Sequence, residues 1–151
     1  MHPITVRQAV LADIEDLTGL FDLYRQFYGK GRDLAGARRF LLDRFERGES
    51  FLLLAHAQGQ AVGFTQLYPS FSSLSMARLF VLNDLFVADT ARRQGVASQL
   101  LSAATALARS VGAVGLTLST ALDNHRAQAL YEAAGWQRDT EFFTYNLRLA
   151  H

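Results

Sequence analysis

Along the chain the apolar positions switch between two periods, and each switch marks a new element. Ile4 to Ala9 alternates and carries β-branched residues, which predicts a first strand. From Ile14 through Leu17, Leu20, Phe21, Tyr24, Phe27 and Tyr28 the apolar residues recur every three or four positions. That spacing predicts a helix with one buried face, capped by Asp13 and ended by Gly29-Lys-Gly31. A second helix is expected from about Leu34 to Glu46, with Phe40, Leu41 and Phe45 inward, Arg38, Arg39, Asp43 and Arg44 outward, and Gly48 closing it. Phe51 to Ala55 and Ala61 to Tyr68 have strand character, and Ala57-Gln-Gly-Gln60 between them predicts a hairpin. Pro69 to Ser73 reads as a loop.

A long apolar run from Leu79 to Val87 is interrupted only by Asn83 and Asp84. A hairpin turning there would have arms of about four residues and no glycine to supply the positive φ that tight turns favour. One long central strand with a local irregularity is therefore expected. A helix from about Gln94 to Ser110 follows, ended by Gly112, then a short buried strand at Val114 to Ser119 and a short helix at Asn124 to Ala134. Trp136 to Gln137 and Phe142 to Leu147 are expected as closing strands. The order β, α, α, β, β, β, α, β, α, β, β, with no repeat or linker, predicts one mixed α/β domain over residues 1–151.

Composition narrows the chemistry. Half of the 151 residues are hydrophobic and 19% are charged, which is ordinary globular composition and enough for one core. The net charge is +1, and the arginine pairs Arg38-Arg39 and Arg92-Arg93 stand apart, so no basic stripe points to nucleic acid. The absence of cysteine excludes disulfides, thiolate metal sites and a cysteine nucleophile. His56, His125 and the terminal histidines lack helical pair spacing with acidic partners, so no metal is expected. Met1 to Arg7 lacks a basic region followed by an apolar segment, and no apolar run reaches membrane-spanning length. A cytoplasmic protein with no membrane partner is the expectation.

Two features look chemical. In Asp89-Thr-Ala-Arg-Arg-Gln-Gly-Val-Ala-Ser-Gln-Leu-Leu101, Arg92 and Arg93 stand where a helix begins, although a helix start already carries roughly half a positive charge. Such a start suits an anion, and Gly95 and Ala97 leave a phosphate room to approach the backbone. Asp84 lies within an apolar strand, where a carboxylate is either hydrogen-bonded or raised in pKa by desolvation. It serves there as a proton acceptor or as a brace for a bulge.

Arg92-Arg-Gln-Gly95-Val-Ala97, with Asn124-His-Arg-Ala127-Gln-Ala-Leu130-Tyr131-Glu-Ala-Ala-Gly135-Trp136, resembles the two signature motifs of the GNAT superfamily of N-acetyltransferases. Arg7-x-Ala9-x-x-x-Asp13 resembles that family's first strand and helix cap. Leu82 to Val87 together with Tyr131 is similar to the diamine and polyamine branch, although Asn83 replaces a glutamate usual there. The resemblance implies a single-domain fold with a central, mixed, mostly antiparallel sheet of about seven strands and about four flanking helices. It implies acetyl-CoA as donor co-substrate and the primary amine of a small molecule as acceptor, with no metal. A protein or peptide acetyltransferase and a non-catalytic acyl-CoA sensor are the alternatives. Members of the family often form homodimers through their C-terminal strands, here Phe142 to Leu147.

The same resemblance assigns residues. The backbone of Leu85, Phe86 and Val87 would line the pantetheine arm, and Arg92, Arg93, Gln94, Gly95, Val96, Ala97 and Ser98 would cradle the pyrophosphate. Asn124 and Ala127 would complete the donor site, or Asn124 is simply a helix N-cap. Tyr131 would protonate the departing thiolate, or it packs as most tyrosines on short helices do. Asp84 is the candidate base. Tyr24, Phe27, Tyr28, Tyr68 and Phe71 are either walls of an acceptor pocket or core.

Overall fold

A computed structural model describes residues 3–150, which divide into two compact units, residues 3–119 and residues 120–150. In the first unit five strands form one sheet in the order β1-β2-β3-β4-β5. They are β1 (Ile4–Gln8), β2 (Phe51–Ala57), β3 (Gln60–Ser72), β4 (Ala77–Val87) and β5 (Gly115–Thr117). Neighbours are antiparallel up to β4, and β5 runs parallel to β4. The helices of this unit are α1 (Ile14–Phe27), α2 (Leu34–Arg47) and α3 (Val96–Ser110).

Local chemistry accounts for most element ends. Asp13 precedes α1, and its carboxylate accepts from the Val10 N–H at 2.8 Å and from both terminal nitrogens of Arg7 at 2.7 and 2.8 Å. Asp33 caps α2 by accepting from the Gly36 N–H, and Gly48 ends it in the left-handed conformation, φ +62°. Gln58 and Gly59 both have positive φ, as a two-residue hairpin between β2 and β3 requires.

Two faces of the sheet are covered. Leu17, Leu20 and Phe21 of α1, with Ala37 and Leu41 of α2, share a buried cluster with Leu52, Leu54, Phe64 and Phe86 of the sheet. The other face receives α3 through Val96, Leu100, Leu101, Ala104 and Ala108. Each fully buried Leu or Phe in these clusters stabilises the fold by about 1.5–3 kcal/mol. Gly63 permits the close approach of α3, since a Cβ there would stand 2.9 Å from the Phe86 carbonyl and 3.3 Å from Val96 Cγ1.

The structure corrects the sequence expectation in three places. The sheet has five strands, not about seven, and the order stops at β, α, α, β, β, β, α, β, α. Trp136 to Gln137 and Phe142 to Leu147 form no strand, and Phe142, Phe143, Tyr145 and Leu147 are exposed. An alternating apolar run makes a strand only when another strand accepts its ladder, and among the described residues none does so here. Pro69 to Ser73 is not a loop, because β3 runs on to Ser72 and pairs with β4 as far as Ser72–Ala77. Pro69 is tolerated because β2 ends its pairing at Phe51–Leu67, so β3 has lost one neighbour by that point.

The second unit holds one helix, α4 (His125–Ala133), capped by Asn124. The terminal histidines His2 and His151 lie outside the described residues. Among the described residues no helix is long and apolar enough to cross a membrane.

Gly63→Ala should lower the stability of the protein by about 1–3 kcal/mol, because overpacking against a backbone carbonyl is relieved only by strand or helix movement. A urea titration should show a lower midpoint with an unchanged slope. An unchanged midpoint would refute the close-approach argument.

Candidate active site

The site begins with a register shift. Gln66 of β3 faces Asp84 of β4, but the next residue, Leu67, faces Leu82. Asn83 is therefore an extra residue, a β-bulge, and this is the irregularity that the run Leu79 to Val87 predicted. Opposite residues of a strand pair share a face, so Leu82 and Asp84 fall on opposite faces although they are two apart. Asp84 joins Leu52, Gln66, Phe64 and Phe86 on the side of α1 and α2.

Asp84 is 1% exposed and fully engaged. Gln66 Nε2 donates to Oδ2 at 2.6 Å and Asn83 Nδ2 donates to Oδ1 at 2.8 Å. The Tyr24 hydroxyl donates to the Asn83 carbonyl at 3.3 Å and also reaches the Asp84 carboxylate. Thr65 Oγ1 donates to the Asp84 carbonyl at 2.7 Å. Burial pushes the Asp84 carboxyl above its ordinary range, against the hydrogen bonds from Asn83, Gln66 and Tyr24, which favour the ionised form. Tyr24 and Tyr68 are also pushed up, first by burial and then by the charge of Asp84. The carboxylate thus braces the bulge.

Asp84 opens into a cavity of about 510 Å³ walled by Tyr24 and Tyr28 of α1, Phe40 of α2 and Tyr68 of β3. Three of the five aromatic residues considered from the sequence, Tyr24, Tyr28 and Tyr68, line it. Phe27 and Phe71 do not; both are exposed, Phe27 stacking edge-on with Tyr28 and Phe86 and Phe71 lying under Arg78.

On the other side of Asp84 the edge of β4 is open. β5 pairs only with Leu79, Phe80 and Val81, so Leu85, Phe86 and Val87 have β3 on one side and no strand on the other. Beyond Val87 the chain makes a short turn, Asp89–Ala91, and enters α3 through two left-handed residues, Arg93 at φ +65° and Gly95 at φ +80°. No side chain caps α3, and the first bond onto the helix start runs from the Gln99 N–H to the Gly95 carbonyl at 3.1 Å. The N–H groups of Gln94 to Ser98 therefore face outward from a helix start with its positive dipole end intact. A Cβ at Gly95 would meet nothing within 4 Å, so the space above it is open. These features fit a phosphate group.

Arg92 turns the other way. Its Nη1 pairs with Asp89 at 2.7 Å, its Nε donates to the Val87 carbonyl at 2.9 Å, and its guanidinium lies over the rings of Phe27 and Phe86. Arg93 makes no ion pair among the described residues, which leaves its charge available at the helix start.

In the second unit Asn124 Oδ1 accepts from the Ala127 N–H at 3.2 Å, so Asn124 does act as an N-cap. Tyr131 lies on α4, half-buried, with its ring 6.1 Å from that of Trp136 and its carbonyl accepting from the Trp136 N–H at 3.0 Å. The residue that sequence reasoning missed is Gln66. A glutamine inside Ala61 to Tyr68 was the available signal, being the one side-chain amide in a largely apolar strand.

Known proteins resemble this chain in sequence and in fold. The model of the Acetyltransferase (GNAT) family matches residues 17–136. Over 146 residues the chain is 47% identical to the uncharacterized N-acetyltransferase YhfO of Bacillus subtilis (strain 168), covering 97% of this chain and 98% of that protein. A crystal structure of a probable acetyltransferase superposes with a TM-score of 0.93 at 44% identity, over 97% of this chain and 99% of the other. The fold is shared, at a TM-score of 0.79 and 21% identity, by the aminoglycoside N-acetyltransferase AAC(6')-Iy in complex with CoA, over 99% and 97% of the two chains.

The raised pKa of Asp84 has a stability consequence of definite sign. A carboxyl that resists ionisation in the folded protein costs nothing below its unfolded value, about 3.9, and destabilises as the pH rises through its native value. Asp84→Asn removes that loss, and the buried Gln66 Oε1, which has no partner, can accept from the new amide. The variant should melt above the parent at neutral pH, with the gap closing towards pH 4. Thermal melts across that range check this, and a gap that widens in acid would refute it.

Proposed function

We propose that this chain, which belongs to the Acetyltransferase (GNAT) family, transfers the acetyl group of acetyl-CoA to the primary amine of a small molecule. The observation that carries this reading is the open edge of β4 at Leu85–Val87, which runs from a buried carboxylate in a cavity to an uncapped helix start. An extended pantetheine arm pairs with such an edge through main-chain groups, as an added strand does. The pyrophosphate then reaches the N–H groups of Gln94 to Ser98 and the free charge of Arg93. By resemblance to the family motif alone, Asn124 and Ala127 are proposed as donor-site residues too. The cavity, walled by α1 and α2, takes the acceptor. Those walls favour a small amine over a peptide, which would need an open groove.

The transfer is direct, in a ternary complex. An alkylammonium has a pKa of about 10, like lysine, so the acceptor must shed one proton before its lone pair attacks. The carbon–nitrogen bond forms and the carbon–sulfur bond breaks; the first amine proton passes to solvent before attack, the second goes to Asp84 during collapse, and Tyr131 regains from solvent the proton it gives to the sulfur. Asp84 takes up a proton directly or through water, and its desolvation brings it closer to the working range of a general base than a surface aspartate would be. A backbone N–H near Leu85 or Phe86 polarises the thioester carbonyl. The departing thiolate, whose conjugate thiol has a pKa of about 8.5, takes its proton from Tyr131. Holding both reactants beside one strand supplies the orientation that a bimolecular encounter lacks.

A free-thiol release assay with acetyl-CoA against polyamines, amino acids, aminoglycosides and peptides tests this. Thiol release with small amines is the expected result; activity confined to peptides would overturn the acceptor, and failure to bind CoA would overturn the donor. Tyr131→Phe should lower kcat by about 100-fold or more with CoA affinity retained. If no amine releases thiol and that substitution changes nothing measurable, the protein is a cofactor-sensing module instead.

A further inference from the structure

We infer that the acceptor carries a negatively charged group beside its reacting amine, so that the cavity takes a small aminocarboxylate. This rests on the acetyl-transfer reading above and names the acceptor class of the same site.

The charges of the cavity are sorted by depth. Its buried carboxylate, Asp84, is flanked by the hydroxyls of Tyr24 and Tyr68. Nearer solvent stand Arg25, half-buried, and Lys30 and Asp33, both exposed. Asp33 is already committed, because its Oδ1 accepts from the Gly36 N–H at 2.9 Å to cap α2. The two cations are not: among the described residues neither Arg25 nor Lys30 forms an ion pair or a side-chain hydrogen bond. Their backbone is nevertheless well held. The Lys30 N–H donates to the Arg25 carbonyl at 3.0 Å, as does the Tyr28 N–H at 3.1 Å, so the last turn of α1 wraps tightly around Arg25.

The mouth carries two cations against the single carboxylate of Asp33, which faces the start of α2, and the floor carries Asp84, so the cavity is positive at its mouth and negative at its floor. A diamine or polyamine would satisfy Asp84 at one end and meet Arg25 and Lys30 at the other, where like charges repel. An amine with a carboxylate at its far end satisfies both ends. The guanidinium of Arg25 can hold a carboxylate through two parallel N–H donors, and Lys30 adds a point charge. The aromatic walls, Tyr28 and Phe40 among them, offer apolar surface to the stem that joins the two charged ends. At about 510 Å³ the cavity is of the size that small-ligand sites usually have, with room for an amino acid and its side chain.

The test uses the full chain, acetyl-CoA and sets of three acceptors: an α-, β- or γ-amino acid, its carboxamide, and the amine lacking the carboxyl group. Thiol release should favour the amino acid within each set by about ten-fold or more in kcat/KM. Arg25→Ala and Arg25→Gln should raise KM for the amino acid by roughly 10- to 100-fold, the size expected for a lost charge-assisted bond. Lys30→Ala should do so more weakly. All three should leave kcat, KM for acetyl-CoA and the carboxamide reaction nearly unchanged, and Arg25→Lys should restore part of the loss. A preference for carboxamides or diamines, or an equal effect of the substitutions on all acceptors, would overturn the inference. If no acceptor of any kind releases thiol, the acetyl-transfer reading fails by itself. Calorimetric titration of the same amino acids into CoA-loaded protein then decides: binding lost in Arg25→Ala supports recognition of the anion, and no binding to the parent protein overturns it.

Discussion

A strand offers its side chains alternately to two faces, and β4 has to place two residues of the same parity on opposite sides. Leu82 belongs to the face covered by α3, and Asp84 to the face covered by α1 and α2. The extra residue Asn83 resolves that conflict, and much of the site follows from it. With regular alternation Asp84 would share a face with Leu82, away from Gln66 and Tyr24, and a buried carboxylate without donors costs several kcal/mol. With the bulge it meets an amide from each of two strands. A bulge also bends its strand and increases the local twist, which is consistent with β4 parting from β5 after Val81.

Two aspartates show how the surroundings set opposite directions for one chemical group. Asp13 accepts a bidentate pair from Arg7 and a backbone N–H, and the Arg7 hydrogen bonds hold its carboxyl down at about 2. Its contribution to stability is full above the unfolded pKa of about 3.9 and is lost as the pH falls from there through about 2. Asp84 has neutral donors and no cation among its hydrogen-bond partners, so burial prevails and its carboxyl rises. The first arrangement ties a strand to a helix start. The second keeps a proton site adjustable, at some expense in stability.

Most of this fold was legible because its signals are local. The periods of three to four and of two placed α1, α2 and β1, apolar runs placed β2 and the long strand β4, and Gly48 marked the end of α2. What was not legible depends on partners distant in sequence. Pro69 looked like a breaker until pairing with Phe80, beyond the end of β2, made it harmless. Phe142 to Leu147 looked like a strand because alternation was present, although no neighbouring strand accepts it. In the site, Asp84 stood out as a charge in an apolar run, whereas Gln66 became meaningful only when the register set it opposite. Tyr24 has the spacing of a core residue and is one in part, yet its hydroxyl belongs to the cavity. Arg25 and Lys30 look like any surface cations in sequence, and only the cavity between α1, α2 and β4 gives them a common direction.

The open edge of β4 has one more consequence, which concerns the company the protein keeps in solution. Unsatisfied main-chain groups along a strand are a template for any extended chain, including the same strand of another copy, and such edges invite aggregation. Here the exposed run is short. It begins next to a bulge, which spoils the even spacing that a second strand would need. It ends at Val87, whose carbonyl is already taken by the guanidinium of Arg92, itself held by Asp89, so an incoming strand finds that acceptor occupied. A wide, flat strand is turned away at both ends, while a narrow chain with few side groups can still thread between them; Arg92 guards the opening.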